Sequence, residues 1–328
     1  MRKSRLNLFW LILLLAFGSF LSLSSNLYVW HGIDFVSKSL NDAQLIQIIW
    51  NIRFPRLLVG ILSGGLFALA GSIFQTVYRN KVASPDLLGI NALAIFSILV
   101  FSLIWPRDDL ILLYALIGTI IGFGFIVILS GVRTLIVSSR LIILGLALSL
   151  VFRALSQLIV IKADQNQQSL LFFLNGSLAN ASWQNFTVCL VPAVILIILS
   201  LLFSRYLAVM QLSPEVVSGI GMNLYLWQLI YLGIGLLMSA VAVSLSGSLG
   251  FVGLIAPNLA RAIVAPARIS RVLLFSMFCG SCLTVFADWL GKTLIYPNEI
   301  PAGILMIFVG TPVFIYLLKN MGWNLKNE

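Results

Sequence analysis

Long apolar runs alternate with short polar connections along the whole chain. Residues 57–74 read LLVGILSGGLFALAGSIF, residues 90–105 INALAIFSILVFSLIW, and residues 113–131 LYALIGTIIGFGFIVILSG. None alternates apolar with polar residue by residue, as a barrel strand would. Gly60 with Gly64, and Gly118 with Gly122, give spacings that let helices approach closely. Ten runs reach or approach the ~18–20 apolar residues that cross a bilayer. They cover about 8–26, 55–78, 87–105, 110–131, 140–162, 185–204, 224–245, 248–265, 271–293 and 301–318. The third and eighth are short or broken by polar residues, and the fifth contains an arginine. The first, behind MRKSR, outruns a usual signal-peptide core and ends without an A-x-A site, so it reads as a retained helix. The expected fold class is an all-α integral membrane protein, with residues 1–328 as one transmembrane domain.

Composition agrees with the pattern. The chain is 60% hydrophobic and 9% charged, with a mean hydropathy of +1.07, where a soluble domain carries roughly 25% charged residues. With the N-terminus inside, ten spans return the C-terminus to the same side. Thirteen of the 20 Lys and Arg residues then face inward and six outward, leaving Arg153 within a span. That is the positive-inside bias, and it accounts for most of the net charge of +10 without nucleic acid. Cys189, Cys279 and Cys282 lie in apolar runs, and His31 is the only histidine. No metal site, cofactor or catalytic triad is expected from them.

The polar interruptions are more specific. YRNKVASPDLLG, residues 78–89, joins the second and third spans on the inner side. Arg79 and Lys81 suit that side, Pro85 stops a continuing helix, and Asp86 is expected in the first turn of the next one. Arg53 and Arg56 flank Pro55 on the outer side, where exposed cations invite an acidic partner. Arg153 and Asp288 lie within spans. A mid-membrane charge costs ~2.5–3.5 kcal/mol on insertion scales, so Arg153 should face a cavity or a partner.

These segments resemble the permease subunits of ABC importers for iron-siderophore complexes, haem and cobalamin. Typical members read R-x-P-R, a small-residue helix ending in Q, then R-N-P-L-A-x-P-x-L-L-G. Arg53, Pro55, Arg56, Gln75, Arg79, Asn80, Ala83, Pro85, Leu87, Leu88 and Gly89 match, while Lys81 replaces the first Pro. LIILGLALS, FFLNGSLANASW, SLSGSLGFVGLIAPNLAR and EIPAGILMIFVGTPVFIYLL continue the likeness in order. Pro257 and Arg261 match, but Asn258 stands where the family usually has His, and Phe173 replaces a Trp.

The resemblance implies a type II importer permease with a second permease chain and two ATP-binding cassette subunits. It also implies an extracytoplasmic binding protein and an iron-siderophore cargo, with haem or cobalamin as the alternative. It gives Arg53, Arg56 and Lys292 to binding-protein docking, and the central pathway to the span carrying Arg153. It gives residues 206–223 to ATPase coupling. There Ser213 can cap a short helix, Pro214 and Glu215 suit its first turn, and Gly219 and Gly221 end it. The chain itself lacks a nucleotide loop: LGKT at 290–293 has Phe286 in place of the first glycine. An ion-coupled transporter or membrane enzyme would need buried acids or histidines, and the spans offer essentially Asp288.

Overall fold

The computed structural model describes residues 2–24, 43–130, 139–162, 167–212, 214–264, 268–295 and 298–324. Every regular element among them is helical. Helix α1 is Arg2–Ser24; α2, Ala43–Ile48, runs through a π-helical turn, Ile49–Arg53, into α3, Phe54–Val77. After α4, Ile90–Ile104, a single 3-10 turn leads into α5, Ile111–Ser130. Next come α6, Ser139–Lys162, α7, Gln167–Asn175, α8, Trp183–Leu202, α9, Ser204–Val209, and α10, Pro214–Gly219. The last four are α11, Leu224–Ser246, α12, Val252–Val264, α13, Ile269–Thr293, and α14, Ala302–Asn324.

All ten expected spans are present. Six are long and apolar enough to cross a bilayer, and four are shorter apolar helices. The sequence pattern does not predict α2 or α7, because neither holds enough apolar residues to read as a span. The π-helical turn has a local cause: Pro55 has no N–H for the carbonyl of Asn51, so the ladder shifts just before it.

Helix α3 forms the axis. Nearly all of its residues are buried, and it packs against α11, α12 and α13. Small residues make this possible. A Cβ on Gly71 would lie 1.7 Å from the Gly253 carbonyl oxygen, and one on Gly64 2.5 Å from that of Gly280. Backbone therefore meets backbone, the packing that membrane helices use where burial supplies little driving force. Helices α6 and α8 lie at the periphery, with Ile143, Leu150, Ile161, Val191, Ile195 and Leu202 exposed.

Two spans are too short for their task. Helix α4 has 15 residues and α12 has 13, so at 1.5 Å per residue they rise about 22 and 20 Å. A hydrocarbon core is ~30 Å thick. The chain before each, residues 78–89 and 247–251, therefore lies partly at membrane depth, where irregular backbone must be satisfied by protein. It is: in the first, Ala83 N donates to Asn80 O (3.1 Å) and Leu88 N to Ser84 O (3.3 Å); around the second, Ser177 N donates to Ser246 O (2.9 Å), Ser248 N to Phe173 O (3.4 Å), and Gly303 N to Gly176 O (2.8 Å). The breaks at α7, α11 and α14 thus close on one another.

The same geometry corrects the expectation for Asp86. Gly89 has φ +78°, a left-handed conformation that ends the turn, and α4 begins at Ile90. Asp86 lies outside the helix and bonds to other elements instead.

Candidate functional site

Charged side chains gather at three levels of the bundle. At one end, Arg56 Nε donates to Asp288 Oδ1 and Oδ2 at 3.1 and 3.2 Å. Its Nη2 reaches Asp288 Oδ1 and Glu299 Oε2, both at 2.8 Å. Lys292 Nζ meets Asp288 Oδ2 at 2.6 Å and Ser22 Oγ at 3.4 Å. Arg53, beside them, donates to the Leu23 carbonyl. Trp50, Phe54 and Trp183 pack together at this end, with Trp183 Nε1 donating to Trp50 O at 2.8 Å.

This corrects the picture of three exposed cations. Arg56 and Lys292 are buried, at 9% and 7% exposure, and one carboxylate serves both. The reason is physical: a cation removed from water survives only when paired and hydrogen-bonded. Arg53 alone is half-buried without a carboxylate partner among the described residues. The signal for Lys292 was local, since Asp288 precedes it by one helical turn on an apolar helix. The signal for Arg56 was not, because its partner lies 232 positions away.

At the middle level, Arg153 Nη2 meets Asp86 Oδ1 at 3.2 Å. Ser248 Oγ donates to the same oxygen at 3.2 Å, and Ser149 Oγ to the Asp86 carbonyl at 3.4 Å. The Arg153 side chain remains 48% exposed and that of Asp86 20%. The pair therefore satisfies the expectation of a partner for Arg153 while leaving the guanidinium accessible from the open face of α6. Asp86 is the residue that sequence reasoning missed, having been given a helix-end role.

At the opposite end, Arg79 has φ +49°, a left-handed conformation that costs a non-glycine residue about 1–2 kcal/mol. Its Nε and Nη2 donate to Met210 O at 3.1 and 2.8 Å, and Nη2 also to Leu212 O. Asn80 Oδ1 accepts from Val82 N at 3.0 Å. Asn258 Nδ2 donates to Lys81 O at 3.0 Å and to Leu254 O at 2.7 Å. Gln75 Nε2 reaches Leu254 O at 3.2 Å. Asn258, standing in place of a histidine, thus supplies an N–H donor to the turn. Pro257 is buried within α12 and Arg261 lies one turn on, its Nη2 3.5 Å from Asn258 Oδ1.

Of the expected coupling residues, Ser213 lies outside the described residues. Pro214 to Gly219 form the short helix α10, and Gly221, just beyond, has φ +73°.

An apolar bundle with six helices long enough to cross a bilayer, and ion pairs sunk within it, defines a multi-pass membrane protein. The chain belongs to the FecCD transport family, which matches it over residues 10–320. It is similar to the Fe(3+)-citrate import system permease protein YfmD of Bacillus subtilis, at 32% identity over 92% of this chain and 86% of that one. The iron-uptake system permease protein FeuC of the same organism is 30% identical over 94% of this chain and 95% of its own. A solved chain from a metal-chelate type ABC transporter in an inward-facing conformation superposes with a TM-score of 0.80. It is 25% identical, and the match covers 95% of this chain and 98% of that one.

Proposed function

We propose that this chain is the membrane-embedded half of an ATP-driven importer that carries ferric chelates of the siderophore class. The observation that carries the reading is near full-length likeness to permeases named for ferric citrate and iron uptake. Two permease chains, identical or paralogous, would flank the pathway, with two ATP-binding cassette subunits below and a binding protein above. The Arg79 end then faces the cytoplasm together with both termini, and the Arg56 end faces outward from the cell membrane.

In this reading the 206–223 segment, with Ser213, Pro214, Glu215, Gly219 and Gly221, receives the ATPase subunits. Arg53, Arg56 and Lys292 receive the acidic lobes of the binding protein, in unequal shares. Arg53 offers its guanidinium most directly, because Arg56 and Lys292 already share Asp288. Arg153, half-exposed on the open face of α6, would attract an anionic chelate only weakly and in passing, because Asp86 already offsets most of its charge.

The test is uptake of radiolabelled ferric citrate and ferric hydroxamate into proteoliposomes holding the chain with its ATPase subunits and binding protein. Uptake should require ATP and the binding protein. Uptake driven by a proton gradient, with the ATPase left out, would overturn the reading.

A further inference from the structure

The turn at residues 78–89 touches more of the molecule than a connection needs to. Its own bonds make it a unit: Asn80 N donates to Gln75 O, Ala83 N to Asn80 O, Leu88 N to Ser84 O and Gly89 N to Asp86 O, at 3.1 to 3.3 Å. Val82, Ala83, Ser84, Pro85 and Leu88 are buried. Asn258 holds it against α12, and Gln75, whose carbonyl accepts from Asn80 N, is itself bonded to α12.

Its two ends reach different places. At the first, the Arg79 guanidinium grips the carbonyls of Met210 and Leu212, which lead directly into α10. At the second, the turn lies along one stripe of α6. A Cβ on Gly89 would lie 2.5 Å from Gly145 O, Ser149 Oγ bonds the Asp86 carbonyl, and Arg153 bonds the Asp86 carboxylate. Positions 145, 149 and 153 are each four apart, so they form a single line on the helix surface.

We propose that Arg79 is a positioning residue that ties the ATPase-facing segment to helix α6. Displacement of Met210–Leu212 pulls Arg79, the turn moves as one piece, and its far end shifts the 145/149/153 stripe and with it Arg153. The tie acts through neutral carbonyl acceptors, which hold the guanidinium while leaving it free to follow their movement. The left-handed backbone of Arg79 aims the side chain back across the turn, where a regular helix would send it outward. This rests on the reading of residues 206–223 as the ATPase-facing segment.

The experiment uses the complete transporter in proteoliposomes and counts ATP hydrolysed per ferric chelate imported, with ferric citrate or ferric hydroxamate as the probe. Arg79→Gln should assemble, hydrolyse ATP, and raise that ratio by on the order of tenfold, the scale of one coupling link. Arg79→Lys, which keeps a donor for Met210, should recover part of the loss and replaces Arg79→Gln if the latter fails to assemble. Spin labels at Val216 and Leu150, both exposed, give a second readout. In the wild type both should move on nucleotide binding, and in Arg79→Gln only the label at 216 should move. A wild-type ratio in Arg79→Gln, or an unaltered shift at 150, overturns the tie. Glu215→Ala and Gly219→Leu separate the two failures. If these also leave coupling intact, the ATPase-facing assignment falls; if they uncouple while Arg79→Gln does not, only the tie falls.

Discussion

The Arg56 end and the Arg79 end hold their arginines by opposite means. Arg56 is held by two carboxylates and shares one of them with Lys292. Arg79 is held by backbone carbonyls, and neither it nor Lys81, Arg205 or Arg261 forms an ion pair among the described residues. A carboxylate cancels the charge it binds, whereas a carbonyl dipole leaves it in place. One end is therefore fixed and largely neutralised, and the other keeps its positive charge and a grip that can follow movement. The same residue type serves as a rivet in one place and, under the proposed tie, as a hinge arm in the other.

Asp288→Asn should break this contrast most severely. Arg56 and Lys292 would stay buried with their shared counter-charge removed, a loss of about 3–5 kcal/mol. Folded protein recovered in detergent should fall sharply, along with its Tm; an unchanged Tm would show that the cluster is not a rivet. Arg53→Glu should act on the partner and spare the fold. Binding-protein affinity on nanodiscs should fall about tenfold at low salt, with insertion unaltered. Equal affinity would remove Arg53 from the docking surface.

Asn258→Ala should cost about 1 kcal/mol, the worth of its bond to the turn. Asn258→His, which retains a ring N–H, should stay near the wild-type Tm, and the two values together test whether donation alone matters. The smallest effect is expected from Glu299→Gln. Glu299 is 38% exposed, so its pairing with Arg56 is worth under about 1 kcal/mol. Its loss should leave Tm nearly unchanged and tighten docking by a few-fold, because it competes with a partner's carboxylate for Arg56.

What the sequence reveals depends on distance along the chain. The ten spans are local facts, written in runs of hydropathy, and even the doubtful third and eighth are helices that prove short. The motif blocks fix the family for the same reason. Asp86 was misplaced because PD before an apolar run looks like a helix start, and only the fold brings Arg153 and Ser248 to it. Arg56 and Lys292 looked exposed because a helix end at the bilayer surface is normally wet. The counter-ion of Arg56 belongs to a helix more than 200 positions later, and that of Lys292, one turn back on its own helix, tells of burial only once Arg56 is seen to share it. Helix α7 escaped notice because nine residues cannot announce themselves as a span.

The brevity of α4 and α12 has a consequence for how the chain is made. Neither helix alone offers the translocon enough greasy length to partition sideways into lipid. Each packs extensively on the helix that follows it, α4 on α5 and α12 on α13. These pairs should therefore leave the ribosome-bound channel as hairpins, the short member waiting for the longer one. In a glycosylation-mapping assay of nascent chains, truncation after residue 107 should leave α4 uninserted, and extension through residue 130 should bring both across together.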